Sequence, residues 1–287
     1  MSTEPDTKKS PKGAKIAVGI FIGLIVIGLI VAGFALFGNV WAPVQEKSES
    51  ETYTDPITRL DIEGKSGDIE IVATDGDEVV VDRVLRWSGD RKPRSVEKWT
   101  GDILRIRVEG CEGFRMGFSR CAIDYRIQVP ADIEAIAMAD SGNVTTDGVL
   151  GAQKLSADSG DVTVNDAGSD LDINVDSGVV DVTNVVGNVT VEADSGDVRM
   201  TGVEGTEFAG NVDSGNLDVT FATAPESVTA TVDSGDVTIM VPEGEETYKI
   251  KGDTDSGTRT VNIVDDPGSE RVMTITVDSG DLTIDTR

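Results

Sequence analysis

The side chains of this sequence with the type and spacing for chemistry are carboxylates set on a recurring turn. Asp-Ser-Gly occurs eight times, beginning at Asp140, Asp158, Asp176, Asp194, Asp213, Asp233, Asp255 and Asp278, at intervals of 18 to 23 residues. Asp161, Asp197, Asp236 and Asp281 add a second carboxylate three residues after the first. Hard divalent cations take oxygen ligands, so one reading is a calcium ladder built from Asp158, Asp161, Asp176, Asp194, Asp197, Asp213, Asp233 and Asp236. The other reading is structural. Asp accepts a hydrogen bond from the backbone two residues on, Ser does the same, and Gly supplies a positive φ, which together make an Asx-turn. Calcium β-rolls repeat about every nine residues around Gly-Gly. Here the interval is at least twice as long and no Gly-Gly occurs, which favours the turn. Stacked in register, neighbouring carboxylates ~4.8 Å apart repel by about 0.9 kcal/mol in water, so something must offset the row.

Other chemistry is sparse. The chain has no histidine, which removes the commonest general base, the commonest transition-metal ligand and the usual partner of a nucleophilic Ser or Cys. Glycan cleavage by a carboxylate pair is the remaining catalytic reading. With 52 Asp and Glu, however, two carboxylates at a suitable separation are expected by chance, and coils this short wall no cleft. The sequence therefore assigns no catalytic residue, and no cofactor other than the calcium of the first reading. A net charge of −27 argues against nucleic acid, whose phosphates demand Lys and Arg. Cations, basic proteins or basic patches on another copy fit such a surface better.

Against that acidity stands one basic stretch. Residues 83–128 carry 11 Lys and Arg against 6 Asp and Glu, whereas residues 129–287 carry 7 against 32. Inside it lie Cys111 and Cys121, an even count that favours a disulfide outside the cytoplasm and is too few for a closed zinc site. The loop between them holds Phe114, Arg115, Met116, Phe118 and Arg120, a cationic and apolar set suited to anionic lipid, an acidic surface polymer or a partner protein. The alternative is that the stretch folds back as a cap, with Trp87 and Trp99 closing the core.

A turn repeated at this interval needs elements that repeat with it. Val144, Val162, Val180, Val198, Leu217, Val237 and Leu282 stand four residues after each Asp, and a second apolar column follows two residues later. Thr and Asp between them point to solvent, the period-2 pattern of a strand. A further column pair, such as Leu155 and Ala157, precedes each turn. The fold class is therefore all-β: a parallel β-solenoid (β-helix) of 18–23-residue coils, each burying its apolar face on its neighbours. The pattern begins at Leu60 and Ile62 before Lys65-Ser66-Gly67-Asp68, and Arg259 interrupts a column, which predicts a shifted or bulged coil.

Ahead of the repeats, residues 16–37 form an uncharged apolar run of 22 residues, which as a helix spans roughly 33 Å against a ~30 Å hydrocarbon core. Lys8, Lys9, Lys12 and Lys15 precede it, and Glu46, Glu49 and Glu51 follow, so the N-terminus belongs in the cytoplasm and the repeats outside. A cleaved signal peptide fits less well, because the apolar run is too long. Gly19 and Gly23 form a G-x-x-x-G that suits either a helix dimer or a lipid-facing surface. The expected domains are a cytoplasmic tail (1–15), a transmembrane helix (16–38), a polar extracytoplasmic linker (39–56) and the solenoid (57–287), with a basic disulfide-loop elaboration at about 83–128.

The strand–Ser-Gly-Asp–strand units from Ile57 to Arg287, together with the N-terminal anchor, resemble a bacterial family of extracytoplasmic β-strand-repeat proteins of unknown function, often labelled "putative adhesins". The resemblance implies a cell-membrane protein whose solenoid is a non-catalytic surface scaffold or adhesin-like binding module, with a surface polymer or protein as ligand. It brings no catalytic residues. The alternative is an envelope-sensing or regulatory component acting through a partner protein, since a tail of 15 residues holds no output domain.

Overall fold

The computed structural model describes residues 43–88, 92–111 and 121–287, together with the backbone of Ile27–Leu29. β-Branched residues alternating with polar ones fit one face of a pleated strand better than a helical stripe. Each repeat accordingly forms two strands joined at the Asp-Ser-Gly bend, as in Gln153–Ser159 and Val162–Ala167. Strands preceding the bend pair in parallel in one sheet, and strands following it pair in a second. Register brings the columns into contact, Val144 beside Val162, then Val180, then Val198. The bend does not interrupt the ladder, because Gly160 N–H donates to Ser177 O and Gly178 N–H to Ser195 O, each at 3.0 Å. Between the sheets the Val, Ile, Leu and Ala columns are buried, with Phe208 and Phe221 meeting edge to face at 6.0 Å.

Ten parallel coils stack among the described residues, but not in chain order. From residue 134 to 241 sequence and space agree. At the N-terminal end, the coil of Ile103–Glu109 and Cys121–Pro130 lies outside that of Arg59–Ser66 and Ile69–Thr74, which itself abuts Glu134–Ser141 and Val144–Asp147. At the other end, Val272–Ser279 and Leu282–Thr286 sit between the coil of Ser227–Ser234 and Val237–Val241 and that of Lys249–Ser256 and Arg259–Val261. Coils therefore do not stack in simple succession at either end.

Burial explains the C-terminal exchange. Met273, Ile275, Val277, Leu282 and Ile284 are buried, whereas the outer coil offers Ile250, Gly252 and Thr254 at the positions of the first three. The coil is terminal in both sheets, and Arg259 pairs in register with Leu282, so it is neither shifted nor bulged there. Placed inside, its guanidinium would need a buried counter-charge. At the end it stays exposed and donates to Gly252 O at 2.8 Å.

The N-terminal end closes with antiparallel strands. Val44–Tyr53 pairs along its whole length with Val79–Ser88, which pairs with Cys121–Pro130, and Arg94–Thr100 turns back on Ile103–Glu109. Residues 44–53, expected as part of a linker, are therefore a docked strand. Its alternate residues Lys47, Glu49, Glu51 and Tyr53 are the half-buried ones. The expected helix over 16–38, with Gly19 and Gly23, lies outside the described residues except at Ile27–Leu29, whose backbone pairs antiparallel with Gln45–Lys47. No helix among the described residues is long and apolar enough to cross a membrane.

Candidate functional site

Stacking gathers the Asp-Ser-Gly turns into one ridge where the sheets meet. Its floor is a column of glycines. Gly178 has φ +153°, and a Cβ there would collide with the carbonyl of Gly160, as one at Gly196 would with that of Gly178. No side chain fits such a position. The Asp and Ser of each turn are exposed. Asp140 has Lys65 at 3.2 Å, but no described residue donates a hydrogen bond to the carboxylates of Asp158, Asp176, Asp194, Asp213 or Asp233. The Asx-turn expected at these residues is therefore not what holds the bend.

The structural side chain is the one after the glycine. Asp68 accepts from Asn143 N–H at 2.9 Å, Asn143 from Asp161 N–H at 2.9 Å, and Asp161 from Val179 N–H at 2.8 Å. Val179 has no acceptor to pass on. Beyond it the ladder resumes, with Asp197 accepting from Asn216 N–H at 3.1 Å, Asn216 from Asp236 at 2.9 Å, Asp236 from Asp281 at 2.8 Å and Asp281 from Thr258 at 2.7 Å. Each side chain thereby satisfies a turn donor of the neighbouring coil. From Asp68 to Asp236 charged and neutral residues alternate, which doubles the distance between ladder carboxylates to ~9.6 Å. The backbone donor of Asn216, helped by Arg199 and opposed by burial, holds the Asp197 carboxyl below the usual range.

The residues of the calcium reading thus divide into two rows. Asp158, Asp176, Asp194, Asp213 and Asp233 form the outer row, exposed to solvent. Asp161, Asp197 and Asp236 form the inner one, with an oxygen of each committed to the ladder. Among the described residues no three acidic side chains come together as a group that could hold a metal ion.

The basic stretch has a different structure. Arg83, 11% exposed, lies between Glu49 at 3.1 Å and Glu51 at 3.2 Å and also pairs with Glu97. Arg86 pairs with Glu46 and Asp124, Arg105 and Arg107 with Asp61, Arg94 with Glu109, and Arg126 with Glu70. Burial raises the Glu49 pKa, but Lys47 and Arg83 outweigh it and hold the carboxyl low. Tyr53 donates to Glu97, packs on Trp99 at 5.5 Å and has its phenol pushed well above the usual range, chiefly by burial. Trp87 and Trp99 are half-buried against the core. These residues form an ionic cap. The sulfurs of Cys111 and Cys121 are bonded, with Cα atoms 5.5 Å apart. Phe114, Arg115, Met116, Phe118 and Arg120, the expected contact residues, lie outside the described residues.

One depression of about 330 Å³ is lined by Gln153, Lys154, Asp170 and Asp172 among others, and another of about 480 Å³ by Glu226, Asp266 and Arg271 among others. Sequence reasoning missed Asn143 and Asn216 as ladder members. The signal was the residue after each Gly, which alternates between Asp and a neutral side chain from Asp68 onward.

Residues 57–285 match a family model described as Toastrack DUF4097. Among solved structures, the chain resembles one described as a "putative adhesin" from Bacteroides fragilis NCTC 9343, at 15% identity over 84% of this chain and 97% of that one, with a TM-score of 0.45. A "putative adhesin" from Parabacteroides merdae ATCC 43184 matches at 13% identity over 84% and 96%, TM-score 0.34. A "putative cell adhesion protein" from Clostridium sporogenes ATCC 15579 matches at 13% identity over 84% and 100%, TM-score 0.27. No match is found among curated proteins.

Proposed function

We infer that this chain, which belongs to the Toastrack DUF4097 family, is a membrane-anchored, extracytoplasmic, non-catalytic binding module that offers its outer Asp row to a cationic ligand. One observation carries this reading. The turn is built by the glycine column and the inner ladder, so the outer carboxylates of Asp158, Asp176, Asp194, Asp213 and Asp233 are spare to the fold, yet the Asp recurs in register at every coil from Asp140 to Asp278. A row of like charges at ~4.8 Å spacing concentrates negative potential and draws a polycation along it. The Cys111–Cys121 bond suits an oxidising compartment, and the apolar run of residues 16–37 suits a membrane anchor.

The test compares two variants of equal net charge for binding to immobilised polylysine at physiological salt. One replaces Asp158, Asp176, Asp194 and Asp213 by Asn, and the other replaces Asp147, Asp172, Asp181 and Asp218, which lie on the sheet faces. The first is expected to lose at least ten times more affinity than the second (about 1.4 kcal/mol). Equal losses would reduce the interaction to net charge and overturn the assignment of the ridge.

A further inference from the structure

The docked strand Val44–Tyr53 fixes where the solenoid begins relative to any membrane that holds residues 16–37. Its pairing with Val79–Ser88 runs from Val44 beside Ser88 to Tyr53 beside Val79, and Arg83 binds it through Glu49 and Glu51. The stretch from residue 38 to 43 is all that separates Phe37 from this strand. Fully extended, it reaches about 20 Å. Ten coils at ~4.8 Å make a stack of roughly 45 Å between its first and last strands. The chain therefore enters at one end of a body more than twice as long as its tether.

The two regions differ in charge as well. The five strands of the N-terminal end, residues 44–53, 79–88, 94–100, 103–109 and 121–130, carry 8 Lys and Arg against 7 Asp and Glu. The strands between residues 134 and 241 carry 2 against 14. An anionic bilayer surface repels the second region strongly and leaves the first almost unaffected. The same end exposes the outer edges of Val44–Tyr53 and Arg94–Thr100, last in their sheets apart from the short Ile27–Leu29 pairing. Open strand edges invite pairing with other chains, and a hydrated headgroup layer supplies water and phosphate oxygens to them instead.

We propose that this N-terminal end is a membrane-facing surface whose partner is the lipid headgroup layer of the membrane in which the chain is anchored. The solenoid stands on it, with the coil of Lys249–Ser256 and Arg259–Val261 as the distal tip. This rests on the anchor reading above, and the experiment separates the two. Full-length protein is reconstituted into phosphatidylcholine–phosphatidylglycerol vesicles carrying a headgroup acceptor dye, with a donor dye on Ser50→Cys near the base or on Thr258→Cys at the tip. The native cysteines are bonded to each other, so the dye reports the introduced thiol. Both variants should float with the vesicles, with energy transfer several-fold greater from position 50. A flexible Gly-Ser insert between Pro43 and Val44 should shrink that difference. Floating with equal transfer, or with stronger transfer from the tip, overturns the orientation while leaving the anchor intact. Failure to float overturns both, and would agree with a segment held on the solenoid by the pairing of Ile27–Leu29 with Gln45–Lys47.

Discussion

The coil of Leu171–Ser177 and Val180–Val185 in the middle of the stack and the coil of Lys249–Ser256 and Arg259–Val261 at its end share the same Asp-Ser-Gly turn, yet they hold different places for different reasons. In the first, Leu171, Ile173, Val175, Val180, Val182 and Val185 are all buried. In the second, Ile250 and Val261 are half-buried and Arg259 is exposed. The turn sets the bend and the register of both. What it does not set is position along the stack, which follows from how much apolar surface a coil must hide on two sides instead of one. A polar outer coil is the usual termination of a repeat array, and Lys249, Lys251 and Arg259 discourage another chain from adding to its edge.

The largest effect is expected in the middle of the stack. Gly178→Val should cost more than about 4 kcal/mol, because a left-handed position and a filled column act together. Ser177→Ala next to it should stay within about 0.5 kcal/mol. Thermal melts of the two check this, and equal melting temperatures would remove the glycine column from the account.

At the N-terminal end, Arg83→Met should leave Glu49, Glu51 and Glu97 without their shared cation, at a cost of roughly 3 kcal/mol or more. The loss should stay local. Hydrogen exchange should speed up in Val44–Tyr53 and Val79–Ser88 while Gln153–Ser159 and Val189–Ser195 remain protected. Uniform loss of protection would mean that cap and shaft unfold as one unit.

A smaller effect is expected on the ladder. Asp197→Ala removes the acceptor for Asn216 N–H and should cost about 1 kcal/mol. The folded-state pKa of Asp197 is lowered. Its ionised form therefore adds stability above the unfolded value of about 3.9, and that contribution is lost as pH falls through the folded value. Asp197→Asn keeps an acceptor but should flatten this part of the acid dependence. Acid titrations of melting temperature for the three proteins would show it.

Much of the shaft was legible in the sequence because its columns are local and periodic: Val162, Val180 and Val198 recur at one interval, and the structure puts them side by side. The ends were not, because their partners are far apart in sequence. Nothing near Glu49 announces that Arg83 will meet it, and the acidic composition of residues 44–53 reads as a linker until that pairing is known. The exchange of the last two coils was not legible: the charge of Arg259 predicts a shift or bulge in the column, whereas the structure keeps the register and places that coil at the end of the stack. The turn chemistry was legible in type and misplaced by three residues. Asp-Ser-Gly drew attention to its own first residue, whereas the acceptor that reaches the next coil is the residue after Gly, and a bond between coils leaves no signature within one.

Inner and outer carboxylates of the same ridge have different work, and thermal denaturation of two fourfold variants separates them. Replacing Asp161, Asp197, Asp236 and Asp281 by Ala removes four ladder acceptors, at about 1 kcal/mol each, and should lower Tm by roughly 10 °C. Replacing Asp158, Asp176, Asp194 and Asp213 by Ala should leave Tm unchanged or raise it, since it relieves repulsion without removing a bond. A drop in the second variant as large as in the first would make the outer row part of the fold and no longer spare for binding.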